Sequence, residues 1–526
     1  MDNKIDTTTN SGYPARMSQS DHKDIERAEI WAELVEELKL GRDLAEPLYG
    51  RVRDAIAGRI AEGSFPPDMR LPTVRALAAI LNLNARTVAR AFKELGERGL
   101  IEANRGGGSH VARPGQPRRR SGGRKADSAA AIAPPGISSR LFELARAPGV
   151  IAFTGNYPSV AASDAPVFQC GLATLMQGDA DRFFRYDPPG GRDELREALL
   201  PFLSAHGLAA RPDSIIITSG GQQGLDLVAR LCLKPGDSVI VEQPCYFGII
   251  NVIRAAKAKP ISLPVGPNGP DLNAVRDALR RHRPRLIVIN PTFQNPTGYV
   301  MPEAARQTLV DLANEYATPI LEDDHCPELR YRGHPVLPLR AMRGGEDAVF
   351  YTRGFGKVFV PGIRTGFLIA PRAYLRECLS LKATTDLQSP ALLQGALADY
   401  FSQTDWPAYL ERLRGEYRGR QEALHAALTT ALGPDGAKIS RPDGGLSLWL
   451  ALPQDADTRE LYFNAVRRGV AFAVADSFSL APGTTSGIRI AFGLTDPAQF
   501  EEGVDRLAAV LRSTVLPRQS MTSAMI

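Results

Sequence analysis

Lys357 and Arg364 lie close together in residues 349–364, a stretch that begins as an apolar run and ends in a loop broken by glycines. A lysine amine can form a Schiff base with a carbonyl compound, and an arginine can pair with a phosphate. For a lysine taken at random, a solvated surface position is the more common interpretation. Two further stretches supply the other groups that a phosphate-bearing carbonyl cofactor needs, and they favour the chemical interpretation.

Both of these stretches also pass from an apolar run into polar residues. Residues 319–325 end in carboxylates, and residues 286–298 end in a loop that carries Asn295. A carboxylate can hold the pyridinium nitrogen of pyridoxal 5'-phosphate, and Asn295 can donate to its ring hydroxyl. Open α/β sheets bind ligands just past the carboxyl ends of their strands. The sequence therefore predicts a pyridoxal phosphate site.

A second phosphate-binding signal precedes these stretches. Gly220, Gly221 and Gln222 follow an apolar strand and open a helix, so their backbone N–H groups can face a phosphate. Tyr246 lies just past the next strand, where it either stacks on the cofactor ring or belongs to the core. Residues 138–511 alternate strand and helix signals throughout, which predicts an α/β domain.

Composition excludes several classes of protein. The chain has 526 residues, 44% of them hydrophobic and 23% charged, which predicts three to four domain-sized units and no wholesale disorder. Its five cysteines are scattered, so we expect reduced thiols and neither disulfides nor a metal site. The N-terminus is polar and no apolar run reaches about 18 residues. We therefore expect a cytoplasmic protein without a membrane segment.

Residues 44–113 have the pattern of a winged helix-turn-helix. Thr73 and Asn84 can cap its second and third helices, and a glycine-rich hairpin follows. The third helix would enter the major groove of DNA, where its side chains reach bases while flanking residues reach phosphates. The predicted DNA contacts are Arg70, Thr73, Arg75, Arg86, Thr87, Arg90, Lys93 and Arg105. A solvated helix face explains any one arginine, but the ordered caps, turn and wing favour DNA binding.

The remaining segments are less informative. Residues 1–43 are an extension with one predicted helix, which either packs on the next domain or is loosely held. Residues 114–137 are a basic linker rich in alanine and proline, which either tracks DNA phosphates or is a solvated tether. Residues 512–526 are predicted to be a disordered tail.

The winged-helix segment resembles the GntR type. That family's arginine-leucine-proline-serine motif, spaced arginine, helix motif and glycine-rich wing are matched by Arg70 to Thr73, by Arg75, and by residues 84–88 and 106–111. Ala85 stands where the family often has arginine.

Residues 138–511 resemble the fold-type-I aminotransferases, and the two parts together resemble the MocR-type bacterial regulators. The resemblance implies a large mixed sheet with helices on both faces, a smaller C-terminal α/β subdomain, and a homodimer. It also implies residue roles: Lys357 for the Schiff base, Asp323 on the pyridinium nitrogen, Asn295 on the ring hydroxyl, Arg364 on the phosphate, Tyr246 stacked on the ring, Arg489 for an amino-acid carboxylate, and Tyr186 lent to the partner subunit's site.

Three positions depart from the resembled pattern. Gly354 and Gly356 stand where hydroxyl residues usually help to hold the phosphate, and His325 stands where a tyrosine usually donates to the ring oxygen. Each lost hydrogen bond to a charged group costs about 1.5–3 kcal/mol. We therefore expect weaker cofactor binding, with His325 as a replacement donor.

Three functions are compatible with these features. The first is a transcriptional regulator that binds operator DNA and senses pyridoxal phosphate, or a small amine or amino acid, through the Lys357 aldimine. The alternative is an active aminotransferase carrying a DNA-binding domain, although the departures at Gly354, Gly356 and His325 argue against efficient turnover. A third function, a winged helix used only for protein docking, is disfavoured by the exposed Arg86, Arg90 and Lys93.

Overall fold

The computed structural model describes residues 48–61, 65–66, 69–81, 83–97, 100–104, 108–112, 148–159, 165–178, 180–480 and 485–515. The chain divides into two compact units, Met1–Ala129 and Ala130–Ile526. The predicted extension 1–43, the linker 114–137 and the predicted DNA contact Arg105 lie outside the described residues. The sequence-based domain boundaries stay predictions.

The described part of the smaller unit contains three helices and a two-stranded antiparallel sheet, the elements of a winged helix. The elements are α1 (Leu48–Ala61), α2 (Val74–Ile80), α3 (Ala85–Glu97), β1 (Ile101–Asn104) and β2 (Gly108–Val111). Both predicted caps form: the hydroxyl of Thr73 accepts from the Ala76 N–H at 3.2 Å, and Asn84 Oδ1 accepts from the Arg86 N–H at 2.9 Å. These bonds satisfy N–H groups that a helix start leaves unpaired.

The larger unit is built on an eight-stranded mixed sheet. Its strands are β4 (Ile215–Thr218), β5 (Ser238–Gln243), β6 (Lys259–Gly266), β7 (Gly269–Pro270), β8 (Leu286–Ile289), β9 (Ile320–Asp323), β10 (Val349–Gly354) and β11 (Gly366–Ile369). They lie in the order β4-β11-β10-β9-β8-β5-β6-β7. Strands β5, β6, β8, β9 and β10 run parallel, whereas β11 is antiparallel to both of its neighbours.

Helices cover both faces of this sheet, which is why its strands are continuous apolar runs. Ile215 and Ile217 pack in one hydrophobic cluster while Ile216, between them, packs in another. The helices are α4 (Ala165–Gln177), α5 (Asp193–Ala205), α6 (Gly221–Cys232), α7 (Phe247–Ala255), α8 (Leu272–His282), α9 (Glu303–Glu315), α10 (Gly345–Ala348), α11 (Leu375–Asp386) and α12 (Ala391–Gln403).

A smaller α/β subdomain follows, as predicted. Its elements are α13 (Trp406–Leu432), β12 (Lys438–Ile439), β13 (Ser447–Ala451), α14 (Thr458–Arg467), β14 (Val470–Ala471), β15 (Ala473–Val474), β16 (Gly487–Ala491) and α15 (Phe500–Thr514). The four-stranded sheet has the order β12-β13-β16-β15, and β14 pairs with the short strand β3 (Ile151–Ala152). Helix α15 therefore continues three residues past the predicted domain end at 511. Within the described ranges, no helix has the length and apolarity of a membrane span.

Candidate functional site

A cavity of about 300 Å³ opens at the carboxyl ends of the central strands of the larger unit. Its lining includes every residue that the sequence assigned to the cofactor: Gly220, Gly221, Gln222, Tyr246, Asn295, Asp323, His325, Lys357 and Arg364. Parallel strands bring these residues together, since their carboxyl ends meet at one edge of the sheet. Asp323, for example, pairs in register with Thr352 of β10, only five residues before Lys357.

Lys357 lies on a short 3₁₀ turn directly after β10. Its amine donates to the backbone carbonyl of Asn156. Burial, reinforced by the positive charges of Arg489 and Arg364, lowers the pKa of Lys357 to about 8. At pH 7 about one-tenth of such amines are neutral, compared with about one in three thousand for an ordinary lysine. The amine is therefore more available as a nucleophile.

Asp323 ends β9 and is buried. Burial, together with the charge of Asp324, raises the pKa of Asp323 to about 7. A carboxylate in this position is stabilised by a cation placed against it, and a protonated pyridine nitrogen is such a cation. Asp323 is therefore suited to be the acidic partner that the ring nitrogen of pyridoxal phosphate needs.

Asn295 is held from two directions. Its backbone N–H donates to Asn290 Oδ1 at 2.7 Å, and its own Oδ1 accepts from Arg489 Nη1 at 2.8 Å. Because the oxygen is already used, the Nδ2 group is the part of the amide that is left to donate into the cavity.

Arg489 lies behind Asn295 and is not among the residues that line the cavity. Its Nη2 donates to the carbonyl of Thr154 at 3.0 Å, and its guanidinium packs 5.0 Å from the ring centre of Phe478. Burial lowers the pKa of Arg489 to about 10, and its Nε has no hydrogen-bond partner among the described residues. Its predicted contact with a ligand carboxylate stays a prediction.

His325 has a defined tautomer. Its Nδ1 lies 3.1 Å from Asn290 Nδ2, which can only donate, so Nδ1 accepts and Nε2 carries the proton. Burial and the nearby charges of Lys357 and Arg489 lower the pKa of His325 to about 3. The imidazole therefore stays neutral at physiological pH and offers one N–H donor.

Part of the cavity wall is a glycine cradle formed by Gly220, Gly221 and Gly354. Gly220, at the start of α6, has a φ of 78°, and a Cβ atom there would lie 2.9 Å from Arg364 Nη2. A Cβ atom on Gly354 would lie 3.0 Å from the backbone nitrogen of Gly221. The backbone N–H groups and Arg364 can thus approach a phosphate closely. The same closeness explains the glycine at 354, since a hydroxyl side chain there would push against the start of α6.

These features fit pyridoxal 5'-phosphate. The cavity combines a lysine with a lowered pKa, a buried carboxyl, two side chains with N–H donors, and a glycine cradle beside an arginine. Sequence reasoning missed Asn156, Tyr157 and Asn290, of which Tyr157 lines the cavity. In the sequence, Asn156 and Tyr157 are marked only by their position in a polar segment that follows the short strand β3. Tyr186 lies outside the cavity and is 86% exposed.

On the winged helix, the predicted DNA contacts differ in their surroundings. Arg70, Thr73, Arg75, Arg86 and Lys93 are exposed, and Thr87 is half-buried. Arg90 is also exposed, but it stacks 3.7 Å from the ring centre of Tyr49, donates to that hydroxyl at 2.9 Å, and lies 3.5 Å from Glu94. Arg90 therefore stabilises the domain itself, whatever it contributes to DNA binding.

Comparison with known proteins yields two family matches. Residues 148–507 match the aminotransferase class I and II family, and residues 48–111 match the gntR family of bacterial regulatory proteins. The chain is 32% identical to the 2-aminoadipate transaminase of Thermus thermophilus, over 71% of this chain and 92% of that protein. It is 29% identical to a Rhizobium meliloti protein named "Probable rhizopine catabolism regulatory protein MocR", over 93% of this chain and 99% of the other.

A solved structure shares the fold of the larger unit. The α-aminoadipate aminotransferase LysN of Thermus thermophilus, in complex with N-(5'-phosphopyridoxyl)-L-leucine, superposes with a TM-score of 0.67 and 30% identity. The match covers 71% of this chain and 94% of that one.

Proposed function

Because this chain belongs to the aminotransferase class I and II family and has the MocR-type architecture, we propose that it is a DNA-binding transcriptional regulator controlled through pyridoxal phosphate. The cofactor is pyridoxal 5'-phosphate. The proposal adds that amine chemistry at Lys357 is the signal, and that operator affinity is the output. The observation that carries it is the convergence of Lys357 and Asp323 on one cavity in a chain that also contains a gntR-family domain.

When bound, pyridoxal phosphate supplies an aldehyde that condenses with primary amines and a pyridine ring that withdraws electrons. In this chain Lys357 is the amine within reach, and its lowered pKa keeps part of it neutral. The Asp323 carboxylate would hold a proton at the ring nitrogen. Asn295 Nδ2 and His325 Nε2 would donate to the ring oxygen, while the start of α6 and Arg364 would hold the phosphate.

A small amine or amino acid is the effector class that this arrangement suits. With the cofactor bound, an incoming primary amine would compete with Lys357 for it and would leave the lysine amine free. The structure offers that free amine a hydrogen-bond acceptor, the carbonyl of Asn156. Such an exchange changes the charge and contacts of Lys357, and a regulator can couple that change to DNA affinity.

The cofactor part of the proposal is tested by absorption spectroscopy. Titration of the full chain with pyridoxal phosphate is expected to give a visible band that Lys357→Ala abolishes. Lys259→Ala, at an exposed lysine on β6, is the matched control and is expected to keep the band. If Lys357→Ala retains the same band, Lys357 is not the attachment point.

The regulatory part is tested by DNA binding. Fluorescence anisotropy with a duplex selected from a random pool would give operator affinity without cofactor, with cofactor, and with cofactor plus L-amino acids. We expect affinity to respond to the added compounds in the wild-type chain and not in Lys357→Ala. Equal affinity under all three conditions would contradict the regulatory part while leaving cofactor binding intact.

A second candidate function is transamination. It is favoured by the presence of both Lys357 and Asp323 in the cavity and by the similarity to the Thermus thermophilus transaminase. The glycines at 354 and 356 and the histidine at 325 argue for slow turnover. Sustained steady-state conversion of an amino acid with a common 2-oxo acid would favour this function over regulation.

We also propose that the chain acts as a homodimer. Helix α4 is rich in apolar residues, yet Val167 and Met176 on it are exposed. Phe184 is 68% and Tyr186 86% exposed in the segment that follows. Exposed apolar surface of this kind is commonly covered by another subunit. In a dimer, Tyr186 would be available to the partner's site, and two winged helices would address paired half-sites. Sedimentation of the full chain tests the dimer.

A further inference from the structure

A second cavity in the larger unit, of about 320 Å³, shares two loops with the cofactor cavity. The loop after β8 contributes Asn295 to the first cavity and Thr292 to the second. The loop after β9 contributes His325 to the first cavity and Asp324 to the second, and Asp323 at the end of β9 also lines the first. Occupancy of the second cavity would therefore act on Asp324, whose two neighbours in the chain line the cofactor cavity, and on the loop that carries Asn295.

An unpartnered carboxylate oxygen lies in the wall of this second cavity. Asp324 is only 2% exposed, and its Oδ2 accepts from the Tyr351 hydroxyl at 2.9 Å. Its Oδ1 is buried and has no hydrogen-bond partner among the described residues. A buried acceptor without a partner is energetically unfavourable, so a ligand donor that reaches it is bound more tightly.

Three arginines also line the cavity: Arg330, Arg414 and Arg418. Arg330 Nη2 and Arg418 Nε are buried and lack a hydrogen-bond partner within the described ranges. Arg414 is anchored by a 2.7 Å bond from its Nε to the Glu328 carbonyl. These guanidinium groups are donors that remain available to a carboxylate.

The other carboxylates near the cavity are already engaged. The Glu328 side chain, which is fully buried, pairs with Arg353 and lies 3.0 Å from His206 Nε2. Glu411 lies 3.9 Å from Arg414, and Asp443 lies 3.8 Å from Arg330. Among the described residues, neither Glu411 nor Asp443 forms an ion pair with Arg418, so the guanidinium of Arg418 keeps a positive charge that is available to a ligand in the cavity.

We propose that this second cavity binds a free α-amino acid, its ammonium group against Asp324 and its carboxylate against Arg418 and Arg330. A bare anion would leave Asp324 Oδ1 without a donor and would be repelled by it. A bare amine or a metal ion would face three arginines. A zwitterion satisfies both the carboxylate of Asp324 and the guanidinium groups of the arginines. Prolines at 327, 335 and 338 form an apolar wall for the side chain of the amino acid.

At this site an amino acid would bind to the protein without reacting with the cofactor's carbonyl group. The inference goes beyond the proposed function and does not depend on it. The test accordingly uses the full chain freed of pyridoxal phosphate and carrying Arg489→Gln, which removes the carboxylate contact predicted for the first cavity. Isothermal titration calorimetry then measures binding of L-glutamate, glutarate and n-butylamine.

We expect saturable 1:1 binding of L-glutamate, with glutarate and n-butylamine at least about tenfold weaker because each lacks one pole. Arg418→Gln and Asp324→Asn are each expected to weaken glutamate binding about tenfold or more. Arg412→Gln, at an exposed arginine on the same helix α13 that does not line the cavity, is the matched control and keeps binding.

Absence of saturable glutamate binding, or binding that survives both Arg418→Gln and Asp324→Asn, would overturn the proposal. Because Asp324 is buried, thermal melting checks that its variant folds. Leu337→Trp gives an independent test, since Leu337 lines the cavity, is 40% exposed and lies outside the hydrophobic core clusters of the described residues. The larger side chain is expected to block glutamate, and undiminished affinity in this variant would also refute the site.

Discussion

Replacing His325 with phenylalanine tests whether a neutral imidazole donates to the cofactor's ring oxygen. The structure places Nδ1 as an acceptor from Asn290, which leaves Nε2–H as the donor toward the cavity. Phenylalanine keeps an aromatic ring and removes that donor. A hydrogen bond to an ionised oxygen is worth about 1.5–3 kcal/mol, which corresponds to about a 10- to 150-fold rise in the Kd for pyridoxal phosphate.

The pH dependence makes this test specific. An ordinary histidine titrates near pH 6.5, so its donor properties change between pH 6 and 8. In this structure burial and the charges of Lys357 and Arg489 lower the pKa of His325 to about 3. The folded-state pKa lies far below the measured range, so the imidazole stays neutral across it. The ratio of the Kd of His325→Phe to that of the wild type is therefore expected to stay constant from pH 6 to 8.

The assay is titration of cofactor-free protein with pyridoxal phosphate, followed by absorbance at several pH values. Using the ratio of two proteins cancels the titration of Asp323, Lys357 and the phosphate, which affect both. His325→Tyr restores a donor and is expected to recover much of the affinity, while His334→Phe, at an exposed position, is the control. An unchanged Kd in His325→Phe, or a ratio that varies through pH 6.5, would refute the reasoning.

Three further predictions concern other parts of the molecule. Arg489→Ala is expected to remove any spectral response to L-amino acids and to weaken cofactor binding a few-fold, because Asn295 loses its 2.8 Å partner; a retained response would place the ligand carboxylate elsewhere. Glu328→Gln leaves Arg353 buried without its counter-charge, so urea denaturation is expected to show about 3–5 kcal/mol less free energy of unfolding. Burial alone would raise the pKa of Glu328, but Arg353 and His206 lower it to about 2, so its contribution is present above about pH 4.5 and is lost as the pH falls toward 2; acid unfolding that is identical in the variant would count against this. Arg86→Ala is expected to lower operator affinity by about 1–3 kcal/mol in anisotropy assays without changing thermal stability, whereas Arg90→Ala also lowers the melting temperature of the winged helix because it stacks on Tyr49; equal melting temperatures would contradict the structural role of Arg90.

The sequence alone determined both architectures, because their signals are local. Caps at Thr73 and Asn84 depend on residues two or three positions away, and both form. The buried strands are readable as apolar runs because both faces of the sheet are covered. The polar groups that follow these strands had to meet at one edge of the sheet. The residues of the cofactor cavity could therefore be predicted from three distant stretches of the sequence.

Only the tertiary structure decided how those groups are held and what else lies near them. The stacking of Arg90 on Tyr49, the position of Arg489 behind Asn295 and the tautomer of His325 depend on residues 35 to 194 positions apart, which no local pattern relates. The close approach of Gly354 to Gly221 likewise depends on tertiary packing. It explains why a glycine, and not a residue with a hydroxyl side chain, stands at position 354. The second cavity follows from the same cause: Asp323 at the end of β9 lines the cofactor cavity, the next residue, Asp324, lines the second cavity, and packing of distant helices determines what each one meets.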